Sequence, residues 1–170
     1  MAERICRDTA AKRGVGLGAT SGGIGALNGQ TMHPFAAEVL TEKGLDATDF
    51  ESRYLQPRIV QAADLVLCTT REHRAARQRM VPARWKRMFT LIEFVELVSI
   101  LNGDAQREAD SAPSIETIMA SRGRIDTNSA HLDILDPMGQ PKADFERVYR
   151  ELSPQVGALV QWARRSVVGQ

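Results

Sequence analysis

Cysteine is scarce in this chain: only Cys6 and Cys68 occur in 170 residues. Two such thiols make no disulfide framework of the kind that staples small secreted domains. Long apolar runs are also missing. The nearest approach, Leu91 to Leu101, is interrupted by Glu93 and Glu96, which excludes a membrane-spanning helix there. The N-terminus, Met1 to Arg13, carries charges where a secretory signal needs an apolar run. These absences point to a reduced, cytoplasmic protein. Neither sign of charge dominates, since the net charge is +1, so nothing electrostatic nominates nucleic acid or an anionic membrane as a partner. Histidine is sparse too. His73 and His131 stand alone, with no cysteine or carboxylate at ligand spacing, and a metal site is not expected. No cofactor is implied.

What remains is ordinary globular material, 43% hydrophobic and 25% charged. The length suits one domain, residues 1–170, with a core of its own. Met1 to Arg13 reads as a helix, with Ala2, Ile5, Cys6, Thr9 and Ala10 on one face and Gly14 as its stop. Val15, Leu17 and Ala19 alternate with glycines and predict a short strand. Residues 21–31 are rich in glycine and polar residues and read as a loop. Pro34 opens a helix that ends at Gly44, and Pro57 opens a shorter one. Leu65 to Cys68 is an apolar run of the kind buried on both faces of a parallel sheet. Arg71 to Met80 is a basic helix, Arg87 to Leu91 a strand candidate, and Glu93 to Leu101 a helix. Asn102 to Pro113 is polar and reads as a surface excursion. Ser114 caps a weak helix to Ser121, and 122–135 is irregular. From Lys142 a long amphipathic helix turns Phe145, Val148, Tyr149, Leu152, Val156 and Leu159 inward. Pro154 should kink or split it. Strands separated by helices predict an α/β fold, a parallel sheet flanked by helices in three layers.

Three patterns look like chemistry and are better read otherwise. Gly18 to Gly25 approaches a dinucleotide-binding glycine fingerprint, but the spacing is one residue too long and it leads into a polar loop. Cys68-x5-Arg74 follows a strand and precedes a helix, as a phosphate-binding cysteine loop would. It contains no glycine and has bulky charged residues, so its backbone could hardly close around a phosphate, and Cys68 reads as a buried strand residue. The run Arg71, Arg74, Arg77, Arg79, Arg84, Lys86, Arg87 could attract phosphorylated protein or nucleic acid, but reads as a solvated helix face.

Several segments, in order, resemble the low-molecular-weight protein tyrosine phosphatases. Met1-Ala2-Glu3 is similar to the start of that family's first helix, directly after its C-x5-R-S-P loop. Ala19 to Gly22 stands where the family has Ser-Ala-Gly-Thr, and His33-Pro34 with Ala36 and Val39-Leu40 resembles a helix start. Ala63 to Leu67 with Thr70-Arg71-Glu72-His73-Arg74, then Leu91-Ile92-Glu93-Phe94, match a strand and two helix starts. Asp133-Ile134-Leu135-Asp136-Pro137 resembles the acid loop, and Phe145 to Trp162 the last helix. The likeness covers nearly the whole chain outside an inserted excursion at about 99–130.

The resemblance implies hydrolysis of phosphate monoesters through a cysteinyl-phosphate intermediate. A thiolate in a cradle of backbone N–H groups attacks phosphorus, and a carboxylic acid protonates the leaving phenolate. It assigns Asp136 as that acid, with Pro137 stiffening its loop on the side of the first helix's N-terminus. Met138 stands where the family commonly has an aromatic residue, and 21–31 contains none, so Met138, Ile24 and Leu27 are expected to form an aliphatic wall for the substrate. The implied partner is a phosphotyrosine protein or a small aryl phosphate. The residues given start after the loop, so they lack the first strand and the nucleophile, and the expectation is an inactive chain whose sequence starts downstream of its catalytic loop. Two alternatives stand beside this one. A non-catalytic binding protein would keep only the fold. An arsenate reductase would need two further cysteines for a disulfide relay, which Cys6 and Cys68 do not supply.

Overall fold

The structure, a computed structural model, describes residues 1–104 and 112–168. Its contacts gather into two compact units. One holds Met1–Gln56 and Asp136–Gly157; the other holds Pro57–Leu135 and the chain from Ala158 onward.

The first unit opens with α1, Ala2–Lys12, which buries Ile5, Cys6 and Ala10. Gly14 ends it. With φ at +63° it takes the left-handed turn that Cβ-bearing residues resist, and the amides of Gly14 and Val15 close back on the carbonyls of Ala11 and Ala10 at 3.1 and 2.9 Å. Gly44 repeats the device after α2, Pro34–Glu42, at φ +71°. There the amide of Leu45 bonds the Leu40 carbonyl at 2.9 Å, and both leucines are buried. Pro34 occupies the first turn of α2, where its missing N–H costs nothing. His33 caps that helix, its Nδ1 accepting the Phe35 N–H at 3.3 Å, and its ring stacks on Phe145 at 4.7 Å.

The strand predicted at Val15 to Ala19 is not formed. The Val15 amide is spent on the helix end and the Leu17 amide on the Val15 carbonyl at 2.8 Å, so neither enters a ladder. Further on, a single parallel bridge joins Gly23 to Tyr54. The last helix, α7, Lys142–Val168, supplies Phe145, Val148, Leu152 and Val156 to this unit's buried residues, while Tyr149 is only partly covered. Pro154 does not split α7. It lies on the exposed side, where solvent can take the Arg150 carbonyl left without an N–H partner.

The second unit begins at α3, Pro57–Ala62. Its centre is a parallel pair, β1 (Val66–Cys68) and β2 (Met88–Thr90), with Val66 opposite Met88 and Cys68 opposite Thr90. All three residues of β2 are buried, whereas in β1, the run expected to be covered on both faces, only Cys68 is buried and Val66 and Leu67 are half-buried. The crossover consists of α4, Arg71–Met80, and a 3-10 segment, Pro82–Arg87. Thr70 caps α4. Then α5, Leu91–Asp104, runs three residues beyond the predicted end. Part of the expected surface excursion, 105–111, lies outside the described residues. Ser114 caps α6, Ile115–Ala120, as expected. Rings of Phe89, Phe94 and Trp162 meet edge to face, with Phe89–Phe94 at 5.5 Å and Phe94–Trp162 at 5.0 Å, and the buried indole N–H finds the Pro113 carbonyl at 2.8 Å. This is an α/β fold with a small parallel sheet.

Candidate active site

Two aspartates lie three residues apart, and their surroundings separate their roles. Asp133 is locked. Arg71 reaches both its oxygens, with Nη2 at 2.9 Å and Nε at 3.1 Å, and the Arg71 backbone N–H adds a bond of 2.7 Å. The guanidinium holds the Asp133 carboxyl below the usual carboxylate range. The next amide, Ile134, bonds the Thr69 carbonyl at 2.7 Å. Asp136 has no ion pair among the described residues and is exposed. Its Oδ1 accepts the Met138 N–H at 2.9 Å, an Asx turn, and the Pro137 carbonyl accepts the Gln140 N–H at 2.9 Å. Asp136 and Met138 are thus held together in one tight turn, with the Met138 side chain 61% exposed. Asp133 is thus a structural tie, whereas the Asp136 carboxylate is left open to solvent.

Ile24 and Leu27 stand on a separate segment of the same unit, both exposed. Their loop is stitched to 52–54. The Tyr54 amide donates to Asn28 Oδ1 at 2.7 Å, the Gly29 amide to the Ser52 carbonyl at 2.9 Å, and the Ser52 hydroxyl to the Leu27 carbonyl.

A cavity of about 370 Å³ lies in this unit between α1 and the loop at 49–53. Arg4, Arg7, Arg53, Glu3, Asp49 and Glu51 are among its lining residues, and none of Asp136, Met138, Ile24 or Leu27 is. Within it Arg7 meets Glu3 at 2.8 Å, and Arg4 donates to the Thr48 carbonyl at 2.5 Å. Sequence reasoning missed this cavity. The signal was the polar face of α1, Glu3-Arg4-x-x-Arg7, which carries charge toward one side.

Cys68 does not form a phosphate loop. It ends β1 at 8% exposure, and burial pushes its thiol up to about 11, so it keeps its proton at neutral pH. Arg74 is committed elsewhere, with Nη1 on Glu93 at 2.5 Å and Nη2 on the Thr127 carbonyl at 2.9 Å. Cys6 is buried in α1, and burial raises its thiol as well. The basic stretch is likewise not a free patch. Arg71 is held by Asp133, Arg74 by Glu93 and Arg87 by Glu116, while Arg77 is buried. Among the described residues, no cluster of three metal-binding side chains occurs, and no helix is long and apolar enough to cross a membrane.

The model of the family "Low molecular weight phosphotyrosine protein phosphatase" matches residues 1–106, and the chain belongs to that family. A probable low molecular weight protein-tyrosine-phosphatase, EpsP, of Ralstonia nicotianae (strain ATCC BAA-1114 / GMI1000) is 33% identical over 78 residues, 46% of this chain and 54% of that protein. The chain therefore spans about half the length of that relative. The protein-arginine-phosphatase of Bacillus subtilis (strain 168) is 24% identical over 163 residues, 92% of this chain and 87% of that one. Among solved structures, the YwlE arginine phosphatase from Geobacillus stearothermophilus superposes with a TM-score of 0.72 at 21% identity, covering 99% of this chain and 86% of that one. The low molecular weight protein tyrosine phosphatase from T. tengcongensis does so at 0.69 and 24%, covering 94% and 87%. At these identities the structures speak for the fold.

Proposed function

We propose that this chain carries the acid half of a phosphate-monoester hydrolase, with Asp136 as the general acid that protonates the leaving oxygen. The observation that supports it most is the contrast between Asp133, held by Arg71, and Asp136, exposed in its Asx turn with no ion pair among the described residues. Met138, Ile24 and Leu27 serve as an aliphatic wall for the group bearing the phosphate, a phosphotyrosine protein or a small aryl phosphate. The nucleophile is a cysteine thiolate in a C-x5-R-S-P loop, which the 170 residues do not contain. Expressed as these residues alone, the chain gives no turnover of p-nitrophenyl phosphate.

A graft tests the assignment. An apolar strand and a C-x5-R-S-P loop are placed ahead of Met1, and phenyl phosphates of graded leaving-group acidity are assayed. Asp136→Asn lowers kcat by on the order of 10²–10⁴ for poor leaving groups and much less for good ones. Equal losses on both, or no loss, remove Asp136 from the role. A second reading, phosphoarginine as substrate, is favoured by two observations. The arginine phosphatase of Bacillus subtilis aligns over 92% of this chain, and a methionine rather than a ring follows Asp136-Pro137. The kcat/KM ratio for phosphotyrosine and phosphoarginine peptides with the grafted chain decides between them.

A further inference from the structure

Ser129, His131 and Glu96 form a chain of hydrogen bonds in the second unit that the phosphatase reading does not use. The Ser129 hydroxyl lies 2.7 Å from His131 Nδ1, and His131 Nε2 lies 2.9 Å from a Glu96 oxygen. A carboxylate only accepts, so Nε2 carries the ring proton and Nδ1 of the neutral imidazole is left to accept from Ser129. Hydroxyl, base and orienting carboxylate are thereby in the order that activates a serine, a relation recognised by geometry rather than by sequence position.

The bland role for Ser129 is a helix cap, since it precedes the 3-10 turn Ala130–Leu132. Its side chain makes no cap bond there. Its hydrogen-bonding capacity goes to the imidazole instead. The segment around it is held firmly. Arg74 takes the Thr127 carbonyl, Arg71 the Asn128 carbonyl and the Asp133 carboxylate, and the Ser129 amide bonds the Asp126 carbonyl at 3.1 Å. Ser129 is half-buried and the His131 side chain is 54% exposed, so a small electrophile can reach the pair.

We propose that Ser129 is an activated nucleophile that accepts acyl groups from small activated esters, with His131 as its base and Glu96 as the positioning residue. Ser129 Oγ attacks the ester carbonyl carbon while its proton passes to His131 Nδ1. The C–O bond to the leaving group breaks, and the departing alkoxide or phenolate takes its proton from the imidazolium or from solvent. Water, deprotonated by the same imidazole, then cleaves the acyl-serine to release the carboxylic acid and restore the hydroxyl. The net change is ester plus water giving acid plus alcohol.

The test uses the full chain and p-nitrophenyl acetate, read by nitrophenolate release and by mass spectrometry of the peptide containing Ser129. Ser129 should carry acetyl under brief exposure, and Ser129→Ala should remove that adduct. His131→Gln should slow Ser129 acetylation by on the order of 10²-fold, the scale of general-base assistance. Glu96→Gln should slow it by a smaller factor with an unchanged thermal melt, an effect that a merely structural carboxylate would not have. Acetylation of the unmodified chain is the deciding measurement, and it does not depend on a variant folding. An unacetylated Ser129, or acetylation at the same rate in a folded His131→Gln chain, overturns the proposal.

Discussion

Replacing Glu93 by glutamine should be the most damaging single-atom change in the second unit. Glu93 is fully buried, and its carboxylate serves three donors at once. Arg74 Nη1 lies at 2.5 Å, Arg122 Nε at 2.8 Å and the Thr90 amide at 3.0 Å. The two guanidinium side chains are themselves only 11% and 16% exposed. Arg122 is further enclosed, with its Nη2 on the Met88 carbonyl at 2.6 Å and its guanidinium 4.0 Å from the Phe89 ring centre. Burial pushes the Arg122 guanidinium down from its usual value while Glu93 pulls it back up, so the carboxylate is what keeps that cation tolerable.

Glu93→Gln preserves shape and leaves both cations buried without a counter-charge. Removing one partner of a buried ion network costs about 3–5 kcal/mol. Against a stability of about 5–15 kcal/mol, that is a large share of the whole. At about 2–4 °C per kcal/mol for a chain of this size, the melt should fall by about 6–20 °C. Thermal unfolding measures the shift and urea unfolding the free energy, both followed by tryptophan fluorescence, since the Trp85 ring centre lies 5.6 Å from the Arg122 guanidinium and reports locally. The triple change Arg74→Met, Glu93→Leu, Arg122→Met should recover most of the loss, because apolar packing often replaces a buried ion network without cost. A Glu93→Gln loss below about 1 kcal/mol would refute the reasoning, since a surface pair is worth no more than that. A triple variant worse than the single one would refute it too.

Three further outcomes are expected. Arg71 holds the folded-state pKa of Asp133 below its unfolded value, so this tie stabilises the fold above the ordinary carboxylate range and is lost as pH falls through the folded pKa; Arg71→Met should flatten the acid limb of a stability–pH curve below about pH 4, and an unchanged limb would show that the pair contributes nothing. Cys68 should resist a thiol-specific disulfide reagent at neutral pH until denaturant is added, because it is buried and its thiol stands at about 11; rapid labelling of the folded chain would contradict that environment. Gly44→Ala should cost about 1–2 kcal/mol in urea unfolding, since φ +71° is left-handed, whereas Gly103→Ala within α5 should be neutral or stabilising; equal effects would mean that the helix end relaxes.

Much of this architecture follows from short-range pattern. Pro34 and Pro57 start helices, Gly14 and Gly44 stop them, and Ser114 and Thr70 cap them, because each acts on backbone groups within a few residues. The strands Val66–Cys68 and Met88–Thr90 are likewise visible as apolar segments between turn signals. Thr90-x-x-Glu93 carried a signal that went unread. It is a capping box, with the Glu93 amide on Thr90 Oγ1 at 3.1 Å and the Thr90 amide on the Glu93 carboxylate. That Asp133 and Asp136 differ could not be read locally, because the distinction rests on Arg71, 62 residues from Asp133 in the chain. The same holds for Arg74, which reads as part of a solvated basic face, and for Arg122, which lies in a run with no regular pattern; their shared partner Glu93 makes them a buried network. It also holds for the extended run at Val15 to Ala19. Alternation sets which way side chains point, but a strand exists only where a second backbone meets it, and here the nearest acceptors are its own neighbours. Sequence determined the helices and their ends, whose hydrogen bonds close locally; tertiary structure decided which extended runs pair and which charges are free to act, because both depend on what distant segments bring within reach.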